Sequence, residues 1–140
     1  MARGKESRLW DLLKQLPKTF YFQRIESNTG NGIPDVYCMY EGRSFWLELK
    51  ADDSKNRGLS KWQINWHIKY QRAGGKVFIL NRPLLDKGLE LLAVNRDSRL
   101  VDLVSRTSSS TIQDAQELCC QAAAAAHPHF VDLVSRLKNS

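Results

Sequence analysis

Two short apolar runs separated by only two residues constrain this chain more than anything else in it. Val36-Tyr37-Cys38-Met39-Tyr40 and Arg43-Ser44-Phe45-Trp46-Leu47-Glu48-Leu49 read as strands, and Glu41-Gly42 between them reads as a turn. So short a connection makes an antiparallel pair, which lays the start of the first strand beside the end of the second. Asp35, directly after Pro34, is thereby brought close to Glu48 and Lys50. Glu48 and Lys50 are two apart, so on a strand they point to the same face.

Two carboxylates and an ammonium gathered in this way outline a divalent-metal hydrolase site. Mg²⁺ prefers carboxylate oxygens and keeps several waters, so two acidic groups can hold it and leave room for a phosphate. Such an ion polarises a phosphodiester and lowers the pKa of a bound water. A lysine beside it can orient that water or stabilise charge building on the phosphate. Each residue also has a plainer use, since an Asp after Pro is commonly a turn residue and Glu-x-Lys on a strand is commonly a solvated face. Their occurrence together, in order, on one hairpin is what points to chemistry.

The flanking sequence supplies the rest of an α/β core. Leu9, Leu12, Leu13 and Leu16 share one helical face, with Ser7 as the expected cap and Pro17 closing the helix. Residues 20–25 read as a strand, and residues 27–32 as a loop whose glycines allow close approach of a backbone phosphate. Residues 51–58 are a polar, charged loop, after which Ser60 opens a helix running to about Ala73. Gly74-Gly75 end it, and residues 76–80 form the next strand. This order fits a sandwich around a mixed central sheet. Ser60-Lys61-Trp62-Gln63 is a capping box, a role for Gln63 that needs no catalysis. His67, one turn on, is expected at the surface or half-buried. Trp62, Trp66 and Tyr70, spaced by four, are expected as a core stripe, with stacking on bases as the alternative.

The C-terminal part reads differently. Val101-Asp102-Leu103-Val104-Ser105-Arg106 recurs letter for letter at residues 131–136, but two copies fall short of a solenoid. Ser108-Ser109-Ser110 reads as a linker or cap, and residues 112–126 as a helix ending in consecutive alanines. Two or three short helices are expected across residues 98–138.

At 140 residues the chain is one domain by size, and at 42% hydrophobic it can bury a core. No apolar run approaches the roughly 18 residues of a membrane span, and the first residues lack the apolar stretch of a signal peptide. Three cysteines without regular spacing argue against a disulfide framework or a zinc site. The expected setting is a reducing cytoplasm, and no membrane partner is expected. Residues 1–87 carry 16 Lys and Arg against 9 Asp and Glu, whereas residues 88–140 carry 5 against 6. The whole basic excess thus accompanies the site residues, which suits a polyanion bound through counterion release.

Pro34-Asp35 with Glu48-Leu49-Lys50 resembles the signature of the PD-(D/E)xK nucleases. Leu59-Ser60-Lys61-Trp62-Gln63-Ile64-Asn65-Trp66, followed by Gly74-Gly75-Lys76-Val77, is similar to the Leu-Ser-x-x-Gln-x-x-Trp … Gly-Gly-x-Val segment of the virus-type replication-repair (VRR-NUC) nucleases. That family includes small phage enzymes that resolve Holliday junctions, and the resemblance covers roughly residues 20–82. It implies a restriction-endonuclease-like core over residues 1–87, with residues 88–140 as a mostly helical extension of the same domain. It implies Asp35 and Glu48 as metal ligands with the Leu49 carbonyl, Lys50 as the lysine of the site, and Gln63 as a supporting glutamine. The family also takes a carboxylate from its first helix, for which Glu6 is the best-placed candidate and Asp11 and Glu26 are alternatives. Arg24, Lys55, Arg57 and Lys61 are the expected phosphate contacts. The implied activity is a Mg²⁺-dependent endodeoxyribonuclease, with Mn²⁺ as a substitute, acting on four-way junctions as a homodimer in a bacterial or phage-infected cell. The alternatives are a nicking, restriction or homing endonuclease on the same fold, or a catalytically silent DNA-binding module.

Overall fold

The computed structural model describes residues 5–26 and 32–126 of the chain. Its elements run α1 (Lys5–Lys14), β1 (Phe20–Arg24), β2 (Val36–Tyr40), β3 (Arg43–Lys50), α2 (Lys61–Arg72), β4 (Val77–Asn81), β5 (Glu90–Val94), β6 (Val101–Arg106) and α3 (Ile112–Ala126). The strands form one mixed sheet in chain order, β1 to β6. Only β3 and β4 pair parallel, because α2 lies between them in sequence and supplies the crossover that a parallel pair needs. The fold is α/β, as the order of sequence signals implies.

The hairpin forms in the register that its turn dictates. Tyr40 opposes Arg43 and Val36 opposes Leu47. Glu41 at φ 51° and Gly42 at φ 76° are the two left-handed residues of a primed turn, whose twist matches the flanking strands. Strand alternation then sorts β3 by face. Phe45, Leu47 and Leu49 join Leu9, Leu13 and Leu16 of α1 and Ala115, Leu118 and Ala122 of α3 in the larger core. Glu48, between Leu47 and Leu49, is turned to the other face, where Ile68 of α2 packs with Ile79, Leu92 and Val94 in a smaller core. The small residues of α3 let that helix lie close against α1 and the sheet, and Thr111 and Asp114 cap its start reciprocally.

Two sequence expectations change here. Helix α1 already runs from Lys5, so Ser7 lies inside it instead of capping it. More consequentially, residues 90–94 and 101–106 are strands, not parts of a mostly helical extension, and they extend the sheet from β4. Val101-Asp102-Leu103-Val104 has apolar residues at relative positions 1, 3 and 4, which suits a helix face and a strand face equally. The neighbouring β5 decides the matter by offering a ladder. The second copy of that hexapeptide, with the expected helices after residue 126, lies outside the described residues. Strand β6 ends one side of the sheet, carries a bulge opposite Leu91/Leu92, and leaves Leu103 and Val104 exposed.

Candidate active site

The mouth of the hairpin gathers the titratable groups. Asp35 sits one residue before β2, and its Oδ2 accepts a hydrogen bond from the Leu49 amide at 2.8 Å, which fixes the carboxylate across the strand end. Glu48 is 1% exposed and lies within hydrogen-bonding reach of Asp35. Burial first, then Asp35, pushes the Glu48 carboxyl far above the ordinary carboxylate range, with Lys50 opposing. Two carboxyl groups so close cannot both ionise unless a cation joins them, so Glu48 holds the proton. One of its oxygens, Oε1, has no hydrogen-bond partner.

Glu6 reaches the same region from α1. Partial desolvation raises its carboxyl, Lys50 lowers it, Asp35 raises it and Arg24 lowers it, so these four residues share one electrostatic neighbourhood. Of the other N-terminal carboxylates, Asp11 pairs with Lys14 at 3.2 Å on its own helix, and Glu26 follows β1 and is exposed. Glu6 thus shares the charge environment of Asp35 and Lys50.

The start of α2 closes the site from the other side. Ser60 and Gln63 form the expected capping box, with the Ser60 amide donating to Gln63 Oε1 at 2.9 Å and the Gln63 amide donating to Ser60 Oγ at 3.2 Å. Gly32, at φ 79°, lies so close to this first turn that a Cβ there would stand 2.4 Å from the Trp62 carbonyl oxygen. Only glycine fits, and the contact ties the segment leading to Asp35 to the N-terminus of α2.

His67 departs from its expectation: it is fully buried, with Nε2 3.8 Å from Glu48 Oε1. Burial, aided by Lys50, drops its pKa to about 4, so the imidazole is neutral and the contact is not an ion pair. The available signal was its place four residues after Gln63, on the same helical face. The aromatic stripe also divides. Trp66 stacks on Tyr70 and packs edge-on against Trp46, whereas Trp62 is 57% exposed with the Lys61 ammonium over its ring.

The basic residues separate in the same way. Lys55 in the loop after Lys50 and Lys61 at the start of α2 are exposed, and Arg24 is exposed with its guanidinium over Trp10. Arg57 is not a free cation at the rim. Its guanidinium grips both oxygens of Glu90 at 2.9 and 3.1 Å and also donates to the Ser54 carbonyl. Asn81, fully buried, donates to Glu90 Oε1 and to the Asp52 carbonyl, and accepts from the Asp52 amide. The acidic pair in this loop is absorbed as well, Asp52 by Ser54 and Asp53 by the Leu84 amide. The loop after Lys50 is thus pinned by its own polar groups. The signal for Arg57 was its positive φ of 54° next to Gly58, which no sequence pattern displays.

Among the described residues no three His, Cys, Asp or Glu side chains stand preassembled as a metal cage. The donor set is a carboxylate pair, which suits a hard cation that keeps its own waters. The cysteines contribute nothing to it: all three are free, and Cys38 and Cys119 are buried in the larger core.

A mixed six-stranded sheet with helices packed on both faces is a restriction-endonuclease-like fold, and here Asp35, Glu48 and Lys50 lie at the mouth of its β2–β3 hairpin. Among solved structures, the chain is similar to the Holliday junction resolvase Hjc of the archaeal hyperthermophile Archaeoglobus fulgidus. The TM-score is 0.50 at 15% identity, over 80% of this chain and 98% of that one, a likeness that establishes the fold. No family model and no curated protein sequence matches the chain.

Proposed function

We propose that this protein is a divalent-cation-dependent, structure-selective DNA endonuclease that cleaves four-way junctions, akin to the virus-type replication-repair nucleases its motifs resemble. The observation that carries the reading is the convergence of Asp35, Glu48, Lys50 and Glu6 at one sheet end of a fold shared with a junction resolvase. Asp35 and Glu48, with the Leu49 carbonyl, would hold Mg²⁺ or Mn²⁺. The mutual crowding of the two carboxyls fits that group, because a cation between them relieves it. When bound, the ion supplies Lewis-acid stabilisation of charge on the phosphate and makes water a better nucleophile.

The chain's own residues do the remaining work. The Lys50 ammonium neutralises charge on the scissile phosphate as it is attacked. Glu6 completes the acidic side of the site. Gln63, locked by its capping box, sets one wall. Lys55, Lys61 and Arg24 hold flanking phosphates, and exposed Trp62 offers a face for an unpaired base at the branch. A two-fold dimer would place two such sites on opposing strands of a junction of similar symmetry. The exposed Leu100 just before β6, with Leu103 and Val104 on it, would be the surface for that contact.

The test is cleavage in Mg²⁺ of a four-way junction beside linear duplex, flap and single strand of matched sequence. Preferential, base-independent cutting of the junction supports the proposal. Cleavage that tracks one base sequence on linear duplex would favour a restriction or homing enzyme, and no cleavage of any substrate would leave a binding module.

A further inference from the structure

Three buried side-chain atoms lack a hydrogen-bond partner among the described residues, and all three belong to two neighbouring residues: Glu48 Oε1 and both ring nitrogens of His67, of which Nε2 faces Oε1. More than about nine in ten buried polar groups in folded proteins are paired, so a cluster of exceptions asks for a use. Packing alone does not explain a histidine here. A phenylalanine or leucine would fill the space between β3 and α2 without burying two unpaired nitrogens.

We propose that His67 is a positioning residue for Glu48, donating its Nε2–H to Oε1 and thereby fixing how the carboxylate presents itself to a divalent cation. The inference rests on the reading of Asp35 and Glu48 as a cation site. The geometry supplies the direction of the contact. Helix α2 is held at its N-terminus by the Ser60–Gln63 box and by Gly32, and His67 stands one turn further along, level with Glu48. The neighbouring Trp66 ring lies edge-on at 6.3 Å and limits how the imidazole can turn. At 3.8 Å the Nε2–Oε1 pair is too long for a hydrogen bond, and closing to about 2.9 Å requires a shift of less than about 1 Å. Contacts of this kind are commonly long in a free site and tighten when it is loaded.

Calorimetric titration of Mn²⁺ into the full-length protein tests this, using wild type, His67→Phe and His67→Gln, with melting temperatures of the cation-free proteins measured alongside. His67→Phe is expected to weaken cation binding about 10–100-fold, the usual cost of losing a hydrogen bond behind a metal ligand. Its cation-free melting temperature is expected to hold or rise, because two unpaired nitrogens are gone. His67→Gln, whose amide nitrogen reaches a similar position, should recover most of the affinity. Wild-type affinity in folded His67→Phe would overturn the proposal, as would a loss that His67→Gln fails to recover. His67→Leu gives the same readout if the phenyl ring overpacks. A wild-type protein that takes up no cation would overturn the site reading itself and this inference with it, whereas normal wild-type uptake with an indifferent His67 would overturn only the latter.

Discussion

Two polar clusters lie side by side on the α2 face of the sheet, and they are built on opposite terms. Around β4 and β5, Asn81, Glu90 and Arg57 satisfy one another and the backbone of the loop after Lys50. Around β3, Glu48 and His67 are buried more deeply than Arg57 and Glu90, yet three of their polar atoms have no partner. The first cluster is what a fold needs in order to hold a charged loop in place. The second costs stability as it stands, which is what a site kept ready for a cation would show. Proteins tend to break the rules of polar satisfaction at functional sites and to obey them elsewhere.

The largest expected effect separates the clusters by activity. If the proposed function holds, Asp35→Asn or Glu48→Ala should abolish Mg²⁺-dependent cleavage while leaving junction binding largely intact, because the proposed cation site would lose a ligand and the basic surface would not change. Lys50→Ala should slow cleavage about 10²–10³-fold, as for loss of a group that meets transition-state charge. Arg57→Ala should lower activity only as far as the 51–58 loop loosens. Gel assays of cleavage and binding on one junction distinguish these cases, and near-normal turnover from either carboxylate variant would sink the assignment.

Stability should move the opposite way in the two clusters. Glu90→Ala leaves the partly buried Arg57 unpaired and should cost about 2–4 kcal/mol. Glu48→Gln removes a carboxyl that resists ionisation and should stabilise the cation-free protein at neutral pH, by about 1–3 kcal/mol. Urea unfolding in excess chelator measures both, and equal signs would erase the contrast.

The pH dependence follows from the same shifts. Glu48 keeps its proton in the folded state well above the ordinary value of 4.5, so the unfolded chain binds fewer protons across that window. Stability of the cation-free protein should therefore fall as pH rises above about 4.5. At Glu90 burial opposes ionisation, but the hydrogen bonds from Arg57 and Asn81 prevail and hold the carboxyl below its ordinary value. Its contribution is present above 4.5 and is lost as pH falls through the lowered folded value. Chelated Glu48→Gln and Glu90→Gln, melted across pH 3–9, should flatten the alkaline and acid limbs respectively.

The smallest effects are those of the exposed cations. Lys55→Ala and Lys61→Ala should each reduce the salt slope of junction binding by about one, the release of one phosphate contact. Arg57→Ala should leave that slope nearly unchanged, because its charge is held by Glu90. A slope change at Arg57 equal to that at Lys61 would mean that DNA draws the guanidinium away from the loop.

How far these clusters were legible depends on sequence distance. The hairpin, the meeting of Asp35 with Glu48 and the Ser60–Gln63 box follow from short-range rules: a two-residue turn, a period of two along a strand, and a cap that reaches three residues. The chain by itself therefore determined the nearness of Asp35 to Glu48 and the mixed α/β frame around them. Only the tertiary structure decided the rest. Glu6 comes into the charge environment of Asp35 and Lys50 from a separate helix, and Arg57 meets Glu90, 33 positions further along the chain, although nothing local marks it apart from Lys55 or Lys61. Residues 101–106 became a strand because β5 offered hydrogen bonds to a pattern that suited either structure. His67 came within 3.8 Å of Glu48 because α2 packs on the sheet face to which Glu48 is turned, and burial fixes its charge state. Period and turn chemistry act over a few residues and can be read from the chain, whereas pairing, burial and desolvation exist only once distant segments meet.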